Sequence, residues 1–143
     1  MTLKYQSEID DLKLQNCPSN VSPPNGNIEA YRFSFDPIEH PDNFLPNVKI
    51  DRIKSAPFNY DNCTPEEKCL RCASSFYLSE ESALKKWKKL PVKFKENYGY
   101  THLAYGTINK EDGLMSSPEK EHFSFYQNEK SELEQKFKNI RPL

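Results

Sequence analysis

A chain of 143 residues has the length of one ordinary domain, and its 20 Lys+Arg against 21 Asp+Glu leave no global field to draw it to nucleic acid or anionic lipid. Hydrophobic residues make up only 36%, but nine Phe, eight Tyr and one Trp supply large apolar faces, so a folded core is expected rather than a disordered chain. No run approaches the roughly 20 apolar residues of a membrane span, and the first fourteen residues, which include Glu8, Asp10 and Asp11, do not read as a secretory leader.

Tyr5, Ile9 and Leu12 are spaced four and three apart, which allows a short amphipathic helix near the N-terminus. Residues 17–27 are dense in Pro, Asn, Ser and Gly and predict a loop, so residues 1–27 read as an N-terminal arm. The first strand is expected over Ile28 to Phe35, where Tyr31, Phe33 and Phe35 alternate with Arg32 and Ser34. Pro37, Pro41, Pro46 and Pro57 then break up a long connection, within which Val48 to Ile53 allows a short strand. Cys72 to Leu78 predicts another strand. Ser79 is placed as the N-cap of a helix whose stripe is Ala83, Leu84, Trp87 and Leu90, and Pro91 stops it. Strands are predicted over Tyr100 to Ile108 and Glu121 to Tyr126, with a turn at 110–113 between them. The tail suits either a helix or a closing edge strand.

These elements predict an α+β fold: an antiparallel sheet with one main helix packed on one face, a long Pro-rich connection, and a single domain over residues 28–143. Tyr31, Phe33, Phe35, Leu103, Tyr105, Phe123 and Phe125 are expected to turn toward the Trp87 helix. The other face would carry Arg32, Ser34, Ser75, Tyr77, His102, His122, Ser124 and Tyr126. That second face is polar and lightly charged. Arg32, Ser34, His102, His122 and Tyr126 are its candidate binding residues.

Four Cys allow either disulfides or reduced thiols, and the expectation is reduced thiols in the cytoplasm. Cys63, Cys69 and Cys72, with Cys17 or His40 as a fourth ligand, are the weak candidates for zinc. The spacing holds only one tight pair, so buried or incidental thiols are favoured and no metal is expected. The lysines flanking Trp87 fall on the outer face of the helix when Trp87 points inward, which reads as a solvated surface and not as a nucleic-acid site. No Gly-rich phosphate loop or Ser-His-Asp motif is visible.

One constellation carries chemistry. An Arg on an early strand (Arg32), a Ser-rich strand leading into a helix (Ala73-Ser74-Ser75) and a Glu-x-Glu opening a later strand (Glu119-Lys120-Glu121) follow in an order that resembles the Arg, Ser-Thr-Ser, Glu-x-Glu order of ADP-ribosyltransferases. The resemblance implies Arg32 and Ser75 shaping an NAD site, with Glu121 assisting attack at the nicotinamide ribose. The middle motif lacks its Thr. Through motifs between Cys72 and Tyr126, the chain over residues 28–143 is also similar to a family of short uncharacterised bacterial proteins, which implies a compact domain and no activity. The leading expectation is a small binding or accessory domain with a protein partner, no nucleic acid, no membrane and no cofactor; the NAD-using enzyme and a zinc-stabilised module are the alternatives.

Overall fold

The computed structural model describes residues 2–55 and 58–143, so Pro57, one of the expected chain breakers, lies outside the described residues. In chain order the elements are α1 (Gln6–Asp11), β1 (Val21–Ser22), β2 (Ile28–Ser34), α2 (Asn47–Ile53), α3 (Pro65–Arg71), β3 (Ser74–Tyr77) and α4 (Glu80–Lys89). There follow α5 (Val92–Tyr98), β4 (His102–Ile108), β5 (Gly113–Ser116), β6 (His122–Gln127) and β7 (Phe137–Pro142). The strands form one sheet in the order β1-β5-β6-β3-β2-β4-β7, and its ladders are antiparallel. The class is α+β, as the periodicities indicate. Five α-helices, not one, accompany the sheet among the described residues.

The helices follow local signals. Ser79 caps α4 by accepting from the Ser82 amide at 3.1 Å, with Glu80 and Glu81 in the first turn against the helix dipole. Thr64 caps α3 in the same way through the Glu67 amide at 3.1 Å, and Pro65 occupies the first helical position. Cys72 is the C-cap of α3, so the Cys69-x-x-Cys72 pair ends a helix and does not enter a strand. Residues 48–53, whose pattern allows a short strand, are helical: Pro46 sets the extended entry to α2, and Val48 and Asp51, three apart, both turn inward. The tail makes a short 3-10 turn at Leu133–Gln135 and then closes the sheet as β7.

Opposed residues in an antiparallel ladder share a face. Tyr31 opposes Tyr105 and Tyr77, Phe33 opposes Leu103, and Tyr77 opposes His122, so these occupy the first face. Arg32 opposes Ala104, Ser34 opposes His102, and Phe76 opposes Phe123, which puts them on the second. The expected grouping therefore breaks at β6. Phe123 and Phe125 lie on the face opposite Tyr31 and Phe33, because β3 intervenes with a register one residue out of the assumed phase.

The second face holds the aromatic core. Phe76 packs on Phe123 at 5.7 Å, on Phe125 at 5.9 Å and on Phe137 at 5.6 Å between centroids. Phe44, from the Pro-rich connection, covers it and meets Phe137 at 5.3 Å. The connection is held by Asn43, fully buried, which accepts from the Phe35 amide and donates to the carbonyls of Phe35, Pro37 and Ile38. Gly106 lets β7 approach, since a Cβ there would sit 2.5 Å from the Lys136 carbonyl and 2.7 Å from the Phe137 ring.

On the first face, Trp87 of α4 meets Phe33 at 5.0 Å, leaving the lysines outward. At the other end Ile9, Val48 and Cys69, from α1, α2 and α3, cluster around Tyr126. Residues 2–27 join this layer: Leu3 and Ile9 are buried, β1 pairs with β5, and Glu8 forms a two-oxygen ion pair with Arg52. Cys17 and Cys69 are disulfide-bonded, which corrects the expectation that both are free thiols. Cys63 and Cys72 are free. The bond closes a loop across a sequence separation of 52, for which chain entropy alone predicts about 4 kcal/mol. Reduction with dithiothreitol should lower the unfolding free energy by an amount of that order; an unchanged denaturation midpoint after complete reduction would contradict it.

Candidate functional site

A cleft of about 490 Å³ opens on the first face, above β3 and β6. Its floor is Ser75, Tyr77, His122 and Ser124; α3 supplies one wall through Leu70 and Arg71, and α4 and α5 the other. The α5 wall is aromatic. Phe94 packs on Tyr98 at 4.3 Å, Tyr98 stacks on Tyr100 at 6.0 Å and 6°, and Phe33 closes the line 6.2 Å from Tyr100. Gly99, at φ 72°, ends α5 in the left-handed region and turns the chain so that Tyr98 and Tyr100 lie parallel.

The walls are fastened by Asp51 on α2. It is 4% exposed and accepts from Tyr60 at 2.5 Å, from Tyr98 at 2.7 Å and from Arg71 Nε and Nη2 at 3.1 and 2.6 Å. One carboxylate thus joins α2, the turn at Tyr60–Asn62, α3 and α5. Burial, reinforced by the bond to Asp51, pushes the Tyr60 and Tyr98 hydroxyls well above the usual tyrosine range, so both stay protonated donors.

Arg32 is the exception to this pairing. It is 4% exposed and lines the cleft, yet no carboxylate pairs with it among the described residues. Its Nη1 donates to the Ser75 carbonyl at 3.4 Å, its guanidinium lies 5.1 Å from the Phe76 ring and 5.6 Å from that of Phe44, and its Nε has no partner. The β2–β3 ladder holds a single residue pair, Tyr31 with Tyr77, and past it the Arg32 side chain reaches β3. Burial lowers its pKa from the arginine value, with Tyr100, Tyr5 and Tyr77 opposing. Burial likewise lowers the pKa of His122 and raises that of Tyr77 to about 12.

The sequence-derived candidates divide. Arg32, Ser75, His122 and Ser124 meet at the cleft. Tyr126 is sealed beneath α3, donating to the Cys69 carbonyl at 2.9 Å. Ser34 and His102 share the second face with the Arg32 backbone position but do not line the cleft, Ser34 donating to the His102 carbonyl at 3.2 Å and to Asn139 at 2.6 Å. The single recognition face drawn from alternation is therefore two surfaces. Glu121 sits in an adjoining hollow that shares Tyr77, Lys86 and His122 with the cleft, and its carboxylate accepts from Ser79 at 2.9 Å. Lys120 and Glu121 form the tight turn into β6 with φ of 50° and 64°, a backbone strain that two non-glycine residues carry side by side.

The zinc set is not assembled. Cys69 is bonded to Cys17, Cys63 donates to the Asn59 carbonyl, and among the described residues no three His, Cys, Asp or Glu side chains gather with metal-ligand geometry. No helix among them is long and apolar enough to cross a membrane.

Leu70, Arg71, Tyr98 and Asp51 escaped the sequence reading. Thr64-Pro65-Glu66-Glu67, an N-cap with Pro and acids in the first turn, was the signal that would have found α3 and its wall residues. Compared with family models, with curated proteins and with solved structures, the chain matches none.

Asp51→Asn should destabilise the protein by about 3–5 kcal/mol, because it strands the Arg71 charge against the buried wall. Tyr60→Phe removes one hydrogen bond of the same group and should cost about 1–2 kcal/mol. Urea denaturation of the pair checks the order; equal losses would mean that the ion pair does not hold the walls.

Proposed function

We propose that the protein is a binding domain that takes a segment of a protein partner into the cleft between α3 and α5. One observation carries this reading: an aromatic-walled cleft of about 490 Å³ whose rim includes Phe58 and Leu70, 38% and 49% exposed. A small ligand seated on the floor would leave that apolar rim in water, whereas a polypeptide would cover it while inserting one side chain. Tyr, Phe and Arg around a recess are the residue types that anchor interfaces. The test is selection of a random-peptide display library on the purified protein. Enriched peptides should bind Leu70→Glu and Phe58→Glu about tenfold or more weakly. Absence of enriched sequences, or binding indifferent to both substitutions, would overturn the reading.

An NAD-cleaving activity of the ADP-ribosyltransferase kind is the second reading. What favours it is the contact between the Arg32 guanidinium and the Ser75 backbone, with Glu121 in the next hollow. It requires that NAD raise the thermal midpoint and be hydrolysed to nicotinamide, with both effects lost in Arg32→Ala and Glu121→Ala. No shift and no turnover would end it.

A further inference from the structure

From the unpaired guanidinium in the lining of the cleft, we infer that Arg32 is the receptor for an anionic oxygen group, a carboxylate or a phosphoryl group, carried on the side chain that a partner inserts into the cleft. This deepens the binding reading and rests on it for the identity of the carrier.

Three observations converge. The first is the missing counter-charge. The other buried ionic groups are matched: Glu8 with Arg52, Asp51 with Arg71, Asp112 with Lys136. Arg32, 4% exposed, donates a long bond to the neutral Ser75 carbonyl and lies by the Tyr100 hydroxyl and two aromatic faces, none of which is a counter-charge, and its Nε is left without a partner. A buried polar group left unmatched in a folded protein calls for an explanation, and a guanidinium is matched best by an oxyanion.

The second is the composition of the cleft. Arg32, Arg71 and Lys86 line it against one carboxylate, Glu67. Arg71 is already spent on Asp51, and Glu67 accepts from Thr64 at 3.2 Å. The Tyr77 hydroxyl makes no side-chain hydrogen bond among the described residues, and that of Tyr100 lies beside the guanidinium. The lining is thus an excess of donors, which is the complement of an acceptor-rich anion and unsuited to a cation.

The third is the aromatic lining. Phe33, Tyr98 and Tyr100 line the same cleft as Arg32, so the charge shares its recess with aromatic rings. An entering group must combine a flat apolar body with a terminal anion. The flanking rings exclude water, which strengthens the pairing.

Benzoate and phenyl phosphate serve as probes, with benzyl alcohol as the neutral control and chloride used to equalise ionic strength. Both the thermal midpoint and the Arg32 Nε–Hε resonance are followed. At least one anion should raise the wild-type midpoint saturably and move that resonance, while benzyl alcohol does neither; which anion succeeds identifies carboxylate or phosphoryl as the group. Arg32→Met keeps the length of the side chain and removes the uncompensated charge. It should melt higher than wild type without ligand and lose the response. Arg32→Lys, which keeps a charge without the planar fork, should lose most of it.

Indifference of the wild type to both anions, or an Arg32→Met protein that responds as wild type does, would overturn the inference. Peptides selected on the wild type that bind Arg32→Met equally well would also sink it, and would leave the partner reading intact. An anion response with no selectable peptide would support the inference and remove the partner reading.

Discussion

The fold of the first face is organised by one buried carboxylate. Asp51 would be costly in an apolar interior if left alone, but four donor atoms from Tyr60, Arg71 and Tyr98 converge on it. Because those donors belong to separate elements, satisfying the charge also sets the separation of α3 from α5. The cleft is the space left between them. Its floor comes from the sheet, and the wall helices α3 and α5 have seven residues each, too short to be stable by themselves, so their positions depend on this shared acceptor and, for α3, on the disulfide.

The contrast between Asp51 and Arg32 separates structural polarity from polarity held in reserve. Both are nearly inaccessible, and both sit beside the same recess. One has every valence used; the other is stabilised mainly by the faces of Phe44 and Phe76, an interaction weaker than an ion pair once desolvation is included. A chain selected only for stability would replace such a residue with an apolar one of similar length. Its presence in the lining of the cleft is the imbalance from which the functional reading grows.

What was legible in the sequence was local. β2 and β4 announce themselves by alternation, and α4 by a serine cap, two acids and an apolar stripe ending at proline. α2 deceived because Val48, Ile50 and Ile53 in so short a run fit either period, and burial of the charged Asp51 depends on partners far along the chain. α5 was missed since it begins directly after Pro91, which reads as a stop but here serves as an N-cap. The division of the aromatic rings between faces was not legible either. β3 is only four residues long and touches β2 through one pair, so tertiary pairing and not its own pattern decides its register. For the same reason Arg32, Ser75 and His122 could be named as polar strand positions, but Ser34 and His102 could not be separated from them. The Cys17–Cys69 pairing joins positions too far apart for spacing to reveal.

The margins of the sheet bear on how the molecule meets others of its kind. One margin, β1, is two residues long, and the other, β7, presents exposed Lys138, Arg141 and Pro142. A foreign strand adding to β7 would face two cations and a residue without an amide proton, while β1 offers too little length to template anything. Growth by strand recruitment, the common route from a sheet to a fibril, is discouraged at both ends, so the protein can keep an open, ring-lined recess on its surface without also inviting its own polymerisation.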